Sequence, residues 1–186
     1  MSDTPPDRLR RALDQYVVLL LQWNRRINLT AARSVDDIWA HHVEDSLAVV
    51  PHVPADAQRL LDVGSGGGFP GLVIAIARPD LSVTLLEPVH KKRAFLATAA
   101  RELGLSTVDA LAERLEAHAG RSYDVATSRA TWPVGEWIDR ARAFVKPGGL
   151  IIAMEGRDQH ALPDGATRSP YVLGDRTRSV VTCRNN

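Results

Sequence analysis

The chain contains a single cysteine, Cys183, and no hydrophobic run long enough to cross a membrane. One cysteine forms neither an internal disulfide nor a cysteine-cluster metal site, which is typical of proteins in a reducing compartment. A transmembrane helix needs about 20 mostly apolar residues, and the first residues also lack the basic-then-apolar order of a signal peptide. We therefore expect a soluble cytoplasmic protein without membrane contacts.

Other functional classes are excluded by motifs that the sequence lacks. It has no G-x-x-x-x-G-K-[ST] motif, so a P-loop for nucleoside triphosphates is excluded. The six histidines offer no metal-ligand set and no Ser/His/Asp order, so no metal is expected. His42 and Asp45 are three positions apart on a predicted helix, and we expect them to hydrogen-bond each other. The net charge of +1 neither requires nor forbids a nucleic-acid partner.

The stretch from Leu60 to Gly71 points most directly to a binding site. A short apolar run ends in a glycine cluster and is followed by the apolar segment 72–77, which predicts a strand, a tight loop and a helix. Three glycines alternate in this loop, where they let the backbone turn sharply and approach a ligand: Gly64, Gly66 and Gly68. The dinucleotide fingerprint requires a glycine where Phe69 stands. The loop therefore favours an adenosyl cofactor without phosphates, such as S-adenosylmethionine, over NAD.

The second predicted strand, residues 83–87, ends in an acid. Glu87 follows Gly64 by 23 positions, near the roughly 20 expected for the carboxylate that accepts the ribose hydroxyls of an adenosine. A predicted helix over residues 89–103 begins with three cations: Lys91, Lys92 and Arg93. Positive charge at a helix N-terminus opposes the macrodipole, so these residues do not stabilise the helix. They either face RNA phosphates or form a solvated cluster.

The order of the elements predicts an α/β fold. Strands over 60–63, 83–87, 107–111, 123–128 and 150–154 alternate with helical segments, which favours a Rossmann-like, mostly parallel sheet with right-handed crossovers. Residues 146–149 are expected to form a turn before the fifth strand, and residues 156–169 a loop. The tail, 171–183, predicts an antiparallel hairpin. Two amphipathic helices, over residues 7–24 and from Ser34 to Val50, precede the first strand, and their apolar stripes are expected to pack against the sheet.

Ligands of an open α/β sheet bind beyond the carboxyl ends of the strands, where the strand order reverses. If the fourth strand pairs beside the first, the Gly64 loop and Arg129 face each other across that crevice. Glu87 and Glu113, at the ends of the second and third strands, then flank the adenosine. Methyl transfer to an aromatic ring nitrogen needs no base, because holding the two reactants in line can lower the barrier by roughly 7 to 11 kcal/mol.

Four motifs share their order and spacing with a known family: Trp23-Asn24 with Asn28-Leu29-Thr30, His42–Ser46, Asp62–Gly71, and Ser128-Arg129-Ala130. Over roughly residues 8 to 157 the chain resembles the ribosomal RNA small-subunit methyltransferase G family. The resemblance implies a class I methyltransferase that uses S-adenosylmethionine to methylate N7 of a guanine in 16S rRNA. It also implies cofactor contacts at Gly64, Phe69, Ala112, Glu113, Arg129 and, for the ribose, Glu87.

Further expectations concern the domains, the catalytic residue and the partner. Residues 1–55 would form a helical extension and residues 56–186 the methyltransferase domain, within one compact monomer. Arg129 is expected to position the cofactor or the target base, and no other catalytic residue is identified. The partner would be 16S rRNA or the small ribosomal subunit, with five basic residues as candidates for RNA contact: Arg25, Arg26, Lys91, Lys92 and Arg93.

Two features depart from the family's pattern. Glu155 stands before Gly156, where the family usually has a lysine, and the segment before the final hairpin is short. Three alternative functions remain open on sequence grounds. They are a non-catalytic RNA-binding factor on a methyltransferase fold, a small-molecule methyltransferase and, disfavoured by Phe69, an NAD-dependent oxidoreductase.

Overall fold

A computed structural model describes residues 4–120, 122–156 and 161–186. Its strands are β1 (Arg59–Val63), β2 (Ser82–Leu86), β3 (Val108–Leu111), β4 (Tyr123–Arg129), β5 (Val145–Glu155), β6 (Ala166–Leu173) and β7 (Arg176–Arg184). Its α-helices are α1 (Pro5–Asn24), α2 (Val35–Ile38), α3 (Glu44–Leu47), α4 (Gly71–Ala77), α5 (His90–Glu102) and α6 (Val134–Ala141). The π-helical turn Trp39–Val43 joins α2 to α3, so together they form the predicted second helix.

The seven described strands form one sheet in the order β3-β2-β1-β4-β5-β7-β6. Strands β1 to β5 pair in parallel, whereas β7 pairs antiparallel with both β5 and β6. This confirms the predicted mostly parallel sheet with a C-terminal antiparallel hairpin. Because β4 lies beside β1, with Val63 opposite Ser128, the strand order reverses between these two strands. The carboxyl ends of β1 and β4 therefore form the crevice that the sequence predicts.

Two local expectations are corrected. Residues 146–149 belong to β5, which starts at Val145 and continues past a register shift between Tyr123 and Val125 of β4. The segment 156–169 is not all loop, because β6 already starts at Ala166, while residues 157–160 lie outside the described part. The segment after β3 forms the 3-10 turn Leu115–Ala117.

Side chains alternate along the strands, so each face of the sheet carries its own core. Leu60 packs with the N-terminal helices, α4 and α5, whereas Leu61 packs with α6 on the other face. This alternation follows from the two-residue period of a strand. The helices on both faces bury both sides of the sheet, as parallel sheets require.

The N-terminal helices pack against the sheet as predicted. Leu13, Tyr16 and Leu20 of α1 are fully buried, in the same core as Leu85 of β2. Full burial of such a side chain contributes roughly 1.5 to 3 kcal/mol. The Tyr16 hydroxyl also donates a hydrogen bond to the carbonyl oxygen of Gly67, so α1 supports the glycine loop directly. Residues 1–55 and 56–186 thus share a core, while a division at residue 55 stays a prediction.

None of the described helices has the length and hydropathy of a membrane span.

Candidate active site at the strand-order reversal

A cleft of about 530 Å³ opens at the carboxyl ends of β1 to β4. Its volume lies within the roughly 300 to 1,000 Å³ of small-molecule sites. Four of the predicted cofactor residues line it together: Gly64, Glu87, Glu113 and Arg129. The four others are not among its lining residues: Gly66, Gly68, Phe69 and Ala112. Their role in cofactor binding stays a prediction.

The glycine loop is fixed against its neighbours. Gly64 and Gly66 adopt φ values of +75° and +55°, which favour glycine. A Cβ added at Gly64 would lie 2.6 Å from Oγ1 of Thr131, which follows β4. The N–H groups of Gly64 and Ser65 both donate to the carbonyl oxygen of Leu86, at 2.9 and 3.1 Å. The loop therefore presents its backbone to the cleft with little freedom to move.

Gly68 serves the packing of the core. Its φ is +97°, and an added Cβ would lie 2.6 Å from Cδ1 of Leu72 and 2.9 Å from the Tyr16 hydroxyl. These neighbours belong to the buried core beneath the loop. Gly68 therefore gives α1 and α4 the space to approach the loop.

Glu87 follows β2 and links the loop to the start of the next segment. Its side chain is only 5% exposed, and its two oxygens accept hydrogen bonds from the N–H groups of Gly66, at 2.9 Å, and Val89, at 2.8 Å. Each carboxylate oxygen can accept a second hydrogen bond. A carboxylate held in this way by backbone donors is suited to accept two neighbouring hydroxyl groups from the cleft.

Asp62, in β1 just before the glycine loop, is a buried acid beside the cleft whose environment the sequence reasoning did not foresee. It is fully buried, and burial raises the pKa of its carboxyl group to about 6. Its Oδ2 atom accepts the Gly71 N–H at 3.2 Å, while Oδ1 has no partner among the described residues. Buried polar atoms are normally hydrogen-bonded, so this oxygen is an exception that a donor from a bound ligand would satisfy. An acid at the end of the first strand was the available signal.

Arg129 ends β4 and turns towards the N-terminal helices. Its Nη1 atom donates to Nδ1 of His42 at 3.2 Å and lies 3.3 Å from Oδ2 of the fully buried Asp45. The centre of its guanidinium is 5.0 Å from the centre of the Phe69 ring. No hydrogen bond among the described residues joins His42 to Asp45, so that expectation is corrected. Instead, both side chains contact the guanidinium of Arg129.

His42 is neutral in this arrangement. Burial, together with the positive charge of Arg129, lowers its pKa to about 4. Because an arginine only donates hydrogen bonds, Nδ1 of His42 must accept, and the proton therefore resides on Nε2. Nε2 then donates to the Thr30 hydroxyl at 2.6 Å. The ring stacks on Phe69 with its centre 4.8 Å away, so His42 positions its neighbours.

Asp45 also receives two groups from the C-terminal hairpin. The Tyr171 hydroxyl donates to Oδ1 at 2.7 Å, and Nε of Arg178 lies 3.3 Å from the same oxygen. Burial of the phenol raises the pKa of Tyr171. One buried carboxylate therefore joins α3, β4, β6 and β7. Sequence reasoning missed Tyr171 and Arg178, because nothing local indicates that the hairpin returns to this helix.

A further chain of hydrogen bonds starts at Asn24, the last residue of α1. Its amide oxygen accepts the N–H groups of Leu29 and Thr30, and its amide nitrogen donates to the carbonyl oxygens of Thr30 and Ala32. Thr30 continues the chain to His42 and so to Arg129. The Asn24 side chain thus fixes the turn between α1 and Thr30, which explains why these two motifs stand at this spacing.

Glu113, on the other side of the cleft, is held by a buried histidine. Its Oε2 atom lies 2.9 Å from Nδ1 of His118, whose Nε2 lies 2.8 Å from the Tyr123 hydroxyl. His118 is 3% exposed and packs between the rings of Tyr123 and Phe144. The segment after β3 therefore presents Glu113 in a defined position.

The basic candidates lie at two places. Arg25 and Arg26 follow α1, whereas Lys91, Lys92 and Arg93 open α5 at the sheet edge that carries the cleft. All are exposed except the half-buried Lys92. Nε of Arg93 donates to the carbonyl oxygen of Ala110 at 2.9 Å, which anchors it to β3.

The unexpected acid at position 155 has a partner across the sheet. Glu155 is 4% exposed, and its two oxygens accept hydrogen bonds from Nε and Nη2 of Arg168, at 2.6 and 3.1 Å. A fork of this kind is a strong, charge-assisted contact. Arg168 of β6 therefore supplies the cation that pairs with Glu155.

The family model described as rRNA small subunit methyltransferase G matches residues 9–186. The chain belongs to this family. A relative from Chromobacterium violaceum, named ribosomal RNA small subunit methyltransferase G, is 44% identical over 145 residues, which cover 77% of this chain and 69% of the relative. A relative of the same name from Halorhodospira halophila is 39% identical over 182 residues and covers 92% of this chain and 86% of its own.

Solved structures agree on the fold. A methyltransferase from Geobacter sulfurreducens superimposes with a TM-score of 0.64 at 16% identity, covering 92% of this chain and 89% of that one. At this identity the likeness shows the fold alone. The predicted family, rRNA small subunit methyltransferase G, is confirmed. The predicted Rossmann-like methyltransferase sheet is confirmed as well.

Proposed function

We propose that this protein transfers a methyl group from S-adenosylmethionine to N7 of a guanine in 16S rRNA. The observation that carries the proposal is the meeting of Gly64, Glu87 and Arg129 in one cleft at the strand-order reversal, in a chain of this methyltransferase family. Free 16S rRNA or the small ribosomal subunit would be the partner. We further propose that the protein acts as a monomer in the cytoplasm.

The residues of the cleft, and Asp62 of the adjoining β1, fit this cofactor in three respects. The Glu87 carboxylate keeps one acceptor site on each oxygen, which suits the two hydroxyls of a ribose. The glycine loop presents backbone, so the chain can approach a ligand closely at Gly64. The buried Oδ1 atom of Asp62 lacks a donor, which suits a cationic group such as the cofactor's amine.

The chemistry requires positioning more than proton transfer. Bound S-adenosylmethionine supplies a methyl group on a cationic sulfur, and guanine N7 carries a lone pair and no proton. No residue therefore has to act as a base, which agrees with a neutral His42 that is committed to Thr30 and Arg129. Arg129, which Asp45 holds in place, would position the target base relative to the cofactor in the cleft. Such alignment can contribute roughly 7 to 11 kcal/mol.

The direct test uses labelled S-adenosylmethionine and small ribosomal subunits or 16S rRNA from cells that lack the activity. Borohydride reduction and aniline cleavage then locate N7-methylguanine in the RNA. We expect one labelled position. Cofactor binding without RNA label would contradict the proposal and favour a non-catalytic RNA-binding factor or a small-molecule methyltransferase. Calorimetric titration with S-adenosylhomocysteine and with NAD separates a methyltransferase from an oxidoreductase.

A further inference from the structure

The turn that follows α1, residues 24–33, carries two adjoining grooves outside the cleft. One, of about 480 Å³, is lined by Gln22, Trp23, Arg25, Arg26 and Ile27. The other, of about 450 Å³, is lined by Leu21, Asn24, Arg25, Asn28 and Arg33. Arg25 is the residue that the two grooves share. No carboxylate is among these lining residues.

The charge of the turn is strongly positive. Arg25, Arg26 and Arg33 are all exposed, and neither Arg25 nor Arg26 forms an ion pair within the described ranges. Arg33 donates to the carbonyl oxygen of Thr30 at 3.4 Å through Nη1 and keeps its other donors. Guanidinium groups of this kind bind phosphate oxygens in a forked geometry. The turn is therefore suited to a phosphate backbone.

The grooves also suit nucleobases. Trp23 is half-buried against Phe95, with the ring centres 5.7 Å apart, so it offers a fixed aromatic surface. Asn28 is exposed, and its amide can both donate to and accept from a base edge. Single-stranded RNA is recognised by such stacking and edge contacts. The four hydrogen bonds of Asn24 hold the turn in shape, so little order has to be gained on binding.

The turn lies next to the candidate active site. Two hydrogen bonds, Thr30 to His42 and His42 to Arg129, connect it to the end of β4. The carbonyl oxygen of Leu29 lies 3.5 Å from the position of a Cβ added at Gly67, so the turn also touches the glycine loop. The turn is therefore coupled to Arg129 and to the glycine loop, which both belong to the candidate active site.

We infer that residues 24–33 bind the single-stranded RNA segment that flanks the methylated guanine. Arg25 would hold one phosphate between two nucleotides, and each groove would take one of them. The alternation of groove, cation and groove matches the alternation of base, phosphate and base along a strand. An acidic ribosomal protein could bind the arginines, but its surface does not have the alternation of bases and phosphates that the two grooves and Arg25 match. The inference rests on the proposed function, since the RNA is the substrate named there.

The test compares Arg25→Glu with Arg26→Glu, as a double variant, with Arg101→Glu and Arg184→Glu as a matched control. Arg101 lies near the end of α5 and Arg184 at the end of β7, both at the sheet edge opposite the cleft. Binding of a naked RNA oligonucleotide containing the target loop is measured over a range of salt concentrations. S-adenosylhomocysteine binding, measured by calorimetry, reports on folding and on the cleft. A milder double variant, Arg25→Gln with Arg26→Gln, serves if the acidic one does not fold.

We expect the variant to lose RNA affinity at low salt and to have a salt slope shallower by about 0.7 for each phosphate that it no longer binds. Cofactor affinity and the control should equal the wild type, and the loss in methylation should fall on KM. A wild-type salt slope in the folded variant would overturn the inference. A loss confined to intact subunits, with naked RNA unaffected, would overturn it in favour of a ribosomal protein. If the wild type itself neither binds nor methylates RNA, the proposed function fails with it.

Discussion

The Tyr171 hydroxyl donates a 2.7 Å hydrogen bond to Asp45 across 126 positions of sequence. The same carboxylate holds Arg129 at the mouth of the cleft. The C-terminal hairpin is thereby connected, through one buried acid of the N-terminal helices, to the residue that we expect to position the substrate.

Replacing Asp45 with Asn should therefore affect both stability and activity. Removing one partner of a buried ion pair typically costs about 3 to 5 kcal/mol in the free energy of unfolding. Tyr171→Phe is the control, because it removes a single hydrogen bond, worth about 1 kcal/mol, and leaves the Arg129 pair in place. Denaturant unfolding and kcat are measured for both. Equal effects of the two variants would show that the ion pairs of Asp45 with Arg129 and Arg178 contribute nothing.

Glu87→Ala should weaken S-adenosylhomocysteine binding by about 1.5 to 3 kcal/mol, because the variant cannot form the hydrogen bonds to a charged group. Calorimetry measures the change directly. Glu102→Ala, an exposed acid at the end of α5, serves as the control and should bind as the wild type does. Unchanged affinity in the Glu87 variant would remove this residue from the cofactor site.

Gly66→Val should give a folded protein that does not bind the cofactor. The nearest atom to an added Cβ is 3.8 Å away, so the protein itself has room, but φ is +55° and the side chain would enter the ligand's approach. Gly68→Ala should do the reverse, losing about 1 to 3 kcal/mol of stability through overpacking against Leu72. Circular dichroism and calorimetry separate the two effects. Normal cofactor binding by Gly66→Val would mean that the loop does not cradle the ligand.

Two sets of cations should respond differently to salt. Lys91→Ala with Lys92→Ala should make the salt dependence of rRNA binding shallower, by about 0.7 for each phosphate that these lysines bind in the wild type. Arg129→Ala should abolish methylation at every salt concentration, because Arg129 positions the reactants and does not bind the RNA backbone. Filter binding and methyl incorporation over a salt series measure both. Recovery of Arg129→Ala activity at low salt would place this residue among the phosphate-binding cations.

Stability should depend on the titration of His42. Its pKa is about 4 in the folded protein and near 6.5 when unfolded, so between these values the unfolded state binds the extra proton. The contribution of His42 to stability is therefore present above pH 6.5 and is lost as the pH falls towards 4. Asp62, with a raised pKa of about 6, acts in the opposite direction in the same window. The difference in unfolding free energy between the wild type and His42→Gln isolates the histidine, and a difference that does not vary with pH would contradict the assignment.

Sequence reasoning succeeded where the signal is local. The glycine loop, Glu87 and Arg129 each stand at the end of a recognisable strand, and the fold rule for open sheets brings strand ends together. Sequence reasoning failed where a contact joins residues that are far apart in the sequence. Tyr171 and Arg178 approach Asp45 only because β7 returns antiparallel beside β5, which no residue pattern near Asp45 reveals. Gly68 and Gly64 are alike in sequence, and only packing shows that Leu72 and Tyr16 crowd one and Thr131 the other.

The contact between Glu155 and Arg168 joins β5 to β6 and makes the charge at one position depend on the charge at the other. Restoring the family's usual lysine with Glu155→Lys alone would place a second cation against Arg168 in a nearly buried position. The single reversion should therefore be more harmful than a double change that also replaces Arg168. The two positions are therefore coupled, and a double-mutant cycle on the free energy of unfolding would measure that coupling.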